Sequence, residues 1–385
     1  MTPETRPVHI EPFAVEQWMN AWETRCRLNL AETCVDSLTI AGLLALCGRN
    51  RADLADLLDV TMTYGAIEGS DRLRDGICGL YDRQQRDNIV VTHGTIGANM
   101  LVYRALVSPG DRVVSIVPTY QQHVAIPESL GAQVHKVALR PENGYLPDMS
   151  ELAAAVTPGT RMISIANPNN PTGALMPGSM LNDLAAIARK AGAWILGDEV
   201  YRGTDQNDPG VTASIADIYD RGISTAGMSK AFSLAGLRLG WIAGPPDLLR
   251  DVAIHRDYDT ISVGILDDHL AALALEHRAA ILARSRQITR TNRALLDDWL
   301  AGQPRLGWVR PASGTTALIR YELDLGSEDL CRRLLRQTGV LLTPGAALGM
   351  EGQVRIGYGC ATETLRAGLA ALADFVAAAP APNHG

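Results

Sequence analysis

The sequence predicts an α/β protein, with a large domain built on a mostly parallel central sheet flanked by helices and a smaller α+β domain after it. Three observations predict this. From about residue 89, short β-branched runs alternate with stretches of helical spacing. Glycine or polar residues follow each run, at the carboxyl ends where parallel sheets bind ligands. After Trp241 the texture changes to long helices, then to short strands interleaved with helices.

Strands are expected over 89–92, 112–116, 133–137, 162–165 and 194–197, with helices beginning near Ile96, Gln121, Met149 and Met180. Between Pro12 and about Leu46 the spacing predicts a helix, a polar loop over 29–37 and a second helix. A Gly-punctuated loop from Tyr64 feeds a helix ending near Tyr81. One long helix is expected from Leu266 to about Leu300, strands around 317–320 and 353–357, and helices over 327–337 and 362–377. The division that follows is an N-terminal arm (1–48), a large domain (49–265), a small domain (266–376) and a disordered tail (377–385). No internal repeat is present.

With 385 residues, 46% apolar and 20% charged, the chain is long enough for two or three lobes. A net charge of −7 without a basic block argues against a nucleic-acid partner. The six cysteines have irregular spacings and no His cluster beside them, which is cytosolic thiol usage and neither a disulfide frame nor a metal site. Residues 1–6 are polar with no apolar stretch following, so no signal peptide is expected, and no run approaches the ~18 apolar residues of a membrane span. A cytoplasmic protein without membrane contact is the expectation.

The chemistry centres on 229–240, where Lys230 precedes Arg238 by eight residues in small, apolar company. A lysine in a dry pocket loses part of its preference for the charged form and can attack an aldehyde as a Schiff-base nucleophile. Arg238 supplies a permanent anchor for a phosphate ester. An aldehyde that carries a phosphate describes pyridoxal 5′-phosphate (PLP). His93-Gly94-Thr95-Ile96-Gly97 follows a strand and opens a helix, so its free N–H groups suit a phosphate. Tyr120 follows the next strand, either as a ring that stacks on a pyridine or as a half-buried strand-end tyrosine. Asn167-Pro168-Asn169-Asn170-Pro171-Thr172-Gly173 is a rigid turn from which the Asn170 amide could donate to a phenolate oxygen. Asp198, after the 194–197 strand, either keeps a pyridine nitrogen protonated or, with Glu199, caps a helix. Tyr201 can share the phenolate oxygen. Arg355 lies in a strand where a charge needs a partner, either a substrate carboxylate or a structural Asp or Glu.

These residues together resemble the class I/II aminotransferase family, PLP enzymes of fold type I, over about 64–356. The resemblance rests on N-P-x-N-P-T-G, D-E-x-Y and S-K-x₇-R-x-G in that order. It implies that Lys230 holds PLP and moves the Cα proton, that Asp198 pairs with the pyridine nitrogen, and that Asn170 and Tyr201 bind the phenolate oxygen. It further implies that Tyr120 stacks on the ring, that Gly94, Thr95, Ile96, Ser229 and Arg238 hold the phosphate, and that Arg355 takes the substrate carboxylate. Tyr64 matches a tyrosine that reaches the neighbouring subunit's phosphate, which implies a homodimer with shared sites.

Three places depart from the family. Gly227 stands where a phosphate-binding serine is common, with Ser224 or Thr225 as possible compensation. Residues 28–36 replace the usual Gly-rich segment ending in Pro-Asp, and 312–317 replace a Gly-Gly pair, so both changes are expected to touch the substrate. With Arg355, Asn170 and Glu32 are the expected substrate contacts, and Arg25, Arg27 and Asp36 could also face the substrate. Thr92-His93-Gly94, 139–144 and 256–258 are similar to capreomycidine synthases, which use the carbanion for elimination and ring closure. Residues 28–32 are similar to the arm of PLP-dependent arginine oxidases, in which O₂ takes the electrons. The expected function is therefore PLP chemistry at Cα of an L-α-amino acid, ending in oxidation (with or without decarboxylation) or cyclisation. An ordinary aminotransferase with a keto-acid acceptor is the alternative, and a PLP-sensing regulator domain is the non-enzymatic one. If O₂ is used, His93 and His123 are candidates for proton transfer; otherwise His93 orients the phosphate loop and His123 caps a helix.

Overall fold

The computed structural model describes residues 9–379. Seven strands form the large sheet: β1 (Ile89–His93), β2 (Arg112–Val117), β3 (Gln133–Ala138), β4 (Thr160–Ala166), β5 (Trp194–Asp198), β6 (Gly222–Gly227) and β7 (Leu239–Ala243). Their order across the sheet is β1-β7-β6-β5-β4-β2-β3. All neighbours run parallel except β7, which is antiparallel to both β1 and β6. Parallel strands covered on both faces read as continuous β-branched runs, which is why β2, β4 and β5 are legible in the sequence. Successive residues feed opposite cores: Val114, Ile163 and Ile195 pack toward the helices Met149–Ala155 and Gly178–Ala191, whereas Val113, Met162 and Leu196 pack toward Gly94–Leu106 and Pro246–Asp257.

β6 and β7 were not among the expected strands. Gly222-Ile223-Ser224-Thr225-Ala226-Gly227 reads as a small, polar stretch, yet it is wholly buried. Its hydroxyls are satisfied internally, Ser224 by Glu199 Oε2 at 2.9 Å and Thr225 by Asn99 Oδ1 at 2.6 Å.

A smaller sheet, built around the antiparallel strands Thr316–Tyr321 and Gln353–Gly357, is covered by helices Ser327–Thr338 and Thr362–Ala378. Val15, Trp18, Met19, Leu30 and Ala31 of the N-terminal arm share this core, whereas Leu43 and Leu44 pack into the core beneath β1 and β7. The arm is stitched in by main-chain pairing of Leu28–Asn29, parallel to Val340–Leu341, and by a side-chain bond from the Trp18 indole to the Leu342 carbonyl at 2.9 Å.

Two expectations are corrected. The long helix is two, Ile265–Glu276 and Arg278–Ala301, broken at His277 (φ −108°, ψ 22°) with no Gly or Pro to signal it. The last helix runs to Ala378, so the first residues of the supposed tail are helical. The remainder of the tail from residue 380, and residues 1–6 read as lacking a signal peptide, lie outside the described residues. Among the described residues no helix is long and apolar enough to cross a membrane, and no group of three or more His, Cys, Asp or Glu could hold a metal.

Candidate active site

The carboxyl ends of β4 and β5, the turn after β1 and the segment after β6 open into one cavity of about 320 Å³. Lys230, Thr95, Ile96, Tyr120, Asn170, Asp198, Tyr201, Ser229, Arg238, Arg355 and Glu32 all line it. Gly94 itself is not a lining residue. Tyr64 does not line the cavity and is 73% exposed.

Gly94 has φ +65°, the left-handed conformation that lets β1 turn directly into helix Gly94–Leu106. The helix has no side-chain cap, so its first N–H groups stay free. The buried Thr95 hydroxyl has no hydrogen-bond partner, and an Arg238 guanidinium nitrogen lies 3.0 Å from where a Gly94 Cβ would sit. β7 presses so closely on this turn that a Cβ at Gly240 would meet the Gly94 carbonyl carbon at 2.4 Å. The same crowding explains Gly227: a Cβ there would lie 2.6 Å from Thr95 Oγ1, so the threonine hydroxyl occupies the space a serine would need. Ser224 and Thr225 do not compensate: Ser224 points to the opposite face of the strand and donates to Glu199, and Thr225, on the Gly227 face, donates its hydroxyl to Asn99 Oδ1. Gly227→Ser is expected to destabilise the fold by about 1–3 kcal/mol through overpacking, read as a lowered denaturant midpoint.

Asp198 accepts from Asn99 Nδ2 at 3.0 Å and from the Val200 N–H at 3.2 Å, and its Oδ2 is 3.3 Å from His123 Nε2. His123 is fully buried, with Tyr103 Oη 3.0 Å from its other ring nitrogen. His123 therefore neither caps a helix nor faces the cavity; it holds Asp198 from behind. His93 is exposed and also outside this cavity. No helix starts at Asp198-Glu199. Glu199 instead accepts from Ser214 Oγ at 3.0 Å and the Ile215 N–H at 2.8 Å, which anchors a neighbouring loop.

The Asn167–Pro168 and Asn170–Pro171 bonds are both cis. Asn170 lines the cavity, and its Oδ1 accepts from Arg355 Nη1 at 3.2 Å. Arg355 is 3% exposed and also donates to the Ala31 carbonyl and to Thr343 Oγ1, each at 3.1 Å, while its Nε is unpartnered. It forms no ion pair with a carboxylate among the described residues, so the structural salt bridge is not what keeps it there. Burial pushes its pKa down, against the pull of Tyr201 and Glu32.

At Lys230 the surroundings do not weaken the amine's preference for the charged form as a dry pocket alone would. Burial alone would favour the free base, but Cys34, Tyr201 and Glu32 outweigh it and raise the pKa. Nζ donates to Thr33 Oγ1 at 2.8 Å and Cys34 Sγ at 3.4 Å, with Glu32 Oε1 at 4.0 Å. Burial works against the Glu32 charge, yet Lys230 and the Thr33 and Cys34 N–H groups hold its carboxyl at about 2. Tyr201 is buried and its phenol pushed up by burial.

Several lining residues carry no local sequence signal. Helix Ala14–Trp22 crosses the mouth with Val15, Glu16 and Met19, and Glu23 follows it. Glu16 accepts from Tyr120 Oη at 2.8 Å, and the Tyr120 ring rests on Phe13 with centroids 4.7 Å apart. Of the other polar arm residues, Arg27 donates to the Thr338 carbonyl, Asp36 pairs with Arg284, and Arg25 is exposed; none lines the cavity. Residues 312–316 do not touch it either. They support the Asn-Pro loop from below, with the Ala312 and Ser313 N–H groups on the Gly173 carbonyl.

The cavity thus gathers a lysine, a carboxylate opposite, an amide and a phenol beside it, and an unpartnered hydroxyl with an arginine at a helix N-terminus. Those donors and acceptors fit a phosphorylated pyridine aldehyde group by group, and with this sheet topology they define a PLP-dependent enzyme of fold type I. The chain belongs to the class I and II aminotransferase family: the family's description, "Aminotransferase class I and II", matches residues 51–372. It is 31% identical to capreomycidine synthase of Streptomyces vinaceus over 96% of this chain and 94% of that one. It is 30% identical to the arginine–pyruvate transaminase of Pseudomonas aeruginosa over 82% of this chain and 83% of that one. A PLP-dependent aminotransferase from Streptococcus suis superposes with a TM-score of 0.94 at 40% identity, over 97% of this chain and 100% of that one.

Proposed function

We propose that this enzyme works at Cα of an L-α-amino acid whose side chain is cationic, of the guanidinium type, and that its reaction does not end in simple transamination. One observation carries the substrate class. Glu16 and Glu23 face the cavity from the arm, and neither pairs with a basic side chain among the described residues. Burial, then the neighbouring Glu32 and Glu16 carboxylates, raise the Glu23 pKa, so a cation placed between them relieves a repulsion. The other charges have assignments in this reading: Asp198 serves the pyridine nitrogen, Arg238 the phosphate, Arg355 the substrate carboxylate and Glu32 the Lys230 ammonium. The similarity to an arginine–pyruvate transaminase supports the same substrate class, and the similarity to capreomycidine synthase supports an outcome other than transamination.

PLP, when bound, supplies the electron sink that permits a carbanion at Cα. The chain's own groups do the rest. Arg355 orients the carboxylate, the glutamates fix the far end of the side chain, and both together hold the Cα–H bond toward Lys230 Nζ. Lys230, in its free-base form, takes the proton. Asn99 and His123 keep Asp198 aimed at the ring. Helix Ala14–Trp22, with Tyr120 fixed by Glu16, excludes water.

The test compares arginine with citrulline, which has the same shape without the charge, by absorbance titration of the holoenzyme. Arginine is expected to bind about 10–100-fold more tightly, the size of a charge-assisted hydrogen bond, and Glu23→Gln with Glu16→Gln is expected to erase most of the preference. Equal binding of the two ligands would remove the basis of the substrate assignment.

The proposal includes a homodimer with shared sites. Tyr64 is 73% exposed in a segment whose Leu58 (87%), Met62 (72%) and Ile67 (42%) are exposed as well, apolar side chains that a second copy would cover while its Tyr64 reached the phosphate turn. Light scattering is expected to give twice the 41.3 kDa chain mass, and a monomer at micromolar concentration would contradict this.

A further inference from the structure

Three groups surround Lys230 Nζ on the arm side: Thr33 Oγ1 at 2.8 Å, Cys34 Sγ at 3.4 Å and Glu32 Oε1 at 4.0 Å. These contacts come from the segment that departs most from the family. Thr33 is 8% and Cys34 7% exposed, so neither is a surface side chain in chance proximity. Both are fixed in place. The Thr33 carbonyl accepts from Thr315 Oγ1 at 2.6 Å, the Cys34 N–H donates to Glu32 at 2.8 Å, and the next residue, Val35, donates its N–H to the carbonyl of Lys230 itself at 3.3 Å. The hydroxyl and the thiol therefore keep a set position relative to the lysine they touch.

We propose that Thr33 and Cys34 are positioning residues that hold the proton-bearing Lys230 amine on the arm side of the cavity and so delay return of the proton it has taken from Cα. This rests on the assignment of Lys230 as the group that moves that proton. The step is a proton transfer alone: the Cα–H bond breaks, an N–H bond forms on Nζ, and the electron pair stays on the substrate side. A transaminase needs the lysine to give the proton back promptly at the neighbouring carbon. An ammonium held by a hydroxyl, a thiol and a carboxylate gives it back slowly, which lengthens the time in which another outcome competes. The remaining charged or titratable groups around Nζ are Glu16 and Glu23 at the mouth, Asp198, Tyr120 and Tyr201 on the large-domain side, and Arg238 and Arg355 at the two ends. Among the described residues, only Thr33 and Cys34 hydrogen-bond Nζ.

The test reads the lysine directly, without turnover. Cofactor-stripped protein is pulsed with acetic anhydride across a pH series, and acylation of Lys230 is followed by peptide mass spectrometry; only the free base reacts. Thr33→Val and Cys34→Ala are each expected to raise the Lys230 acylation rate at a fixed pH by about tenfold, the effect of removing a hydrogen bond to a charged group, and to move the profile to lower pH. Thr33→Ser and Cys34→Ser keep a hydrogen-bonding atom and are expected to follow the unsubstituted chain. They also serve as folded controls should the apolar variants be unstable. Rates within twofold of the unsubstituted chain in both Thr33→Val and Cys34→Ala overturn the inference. Borohydride reduction of the holoenzyme separates this from the assignment beneath it: cofactor fixed on a residue other than Lys230 would overturn that assignment, whereas an unchanged acylation profile with cofactor on Lys230 overturns only the role of Thr33 and Cys34.

Discussion

Lys230→Ala is expected to lower turnover by at least about 10³-fold and to abolish borohydride-stable attachment of the cofactor. Loss of a positioned general base costs ~10²–10⁴ by itself, and here the same amine also anchors the cofactor covalently. The substitution leaves a small void at a site already lined by Thr33, Cys34 and Tyr201, so the fold is expected to persist. Cofactor is expected to remain bound non-covalently, because the phosphate turn at Gly94–Ile96 and Arg238 does not depend on the lysine. Peptide mapping after borohydride treatment and steady-state kinetics check both halves. A variant that retains more than a tenth of the activity would remove Lys230 from its role.

Asp198→Asn is expected to lower kcat by about 10²- to 10³-fold, with a much smaller change in KM. An amide has nearly the size of the carboxylate but cannot balance a protonated pyridine nitrogen, and a buried charge left without its partner costs several kcal/mol. The loss falls on kcat because the pairing strengthens as charge moves into the ring, after the substrate is already held by Arg355. The neighbours sharpen this. Asn99 Nδ2 and the Val200 N–H both donate to Asp198, at 3.0 and 3.2 Å, and suit a carboxylate acceptor. An asparagine would present an N–H₂ to at least one of them. His123→Phe removes the contact at 3.3 Å without removing the charge, so its effect is expected to be the smaller of the two, and kinetics of both variants order them.

The parts of the site legible in the sequence are those whose chemistry is local. Ser229-Lys230 was legible from its motif alone, whereas Asp198 closes β5 and Asn170 lies four residues past β4, so a strand pattern plus a short motif placed those two beside one cavity. Gly94 with Thr95 was legible for the same reason. Arg355 was legible as a charge in an apolar strand, and its missing carboxylate partner became visible only in three dimensions.

The acidic mouth was not legible. Glu16 and Glu23 belong to an amphipathic helix and the turn after it, where glutamates are expected on a solvated face. Their helix is held at the cavity by contacts such as the Trp18 indole on the Leu342 carbonyl and Gln121 Oε1, which accepts from the Ala14 N–H at 2.9 Å. Those contacts span more than a hundred residues, and no local pattern encodes them. His123 was misread because burial against Asp198 leaves no trace in a helix-start sequence, and Gly227 because the hydroxyl that replaces a serine there comes from Thr95, on a different element. β6 was missed because its internal hydrogen bonds permit serine and threonine at fully buried positions.

The most direct test of the central claim is product analysis of the holoenzyme with arginine and β-hydroxyarginine, with and without a keto acid, in air and under argon. Conversion of at least one of these amino acids without a keto acid, to a product that no amination of an acceptor accompanies, is the predicted result. Product formed only in air would identify oxidation, and product formed equally under argon would identify elimination or ring closure. If conversion requires the keto acid and transfers the amino group to it one for one, the enzyme is an ordinary aminotransferase and the account of its altered arm is wrong.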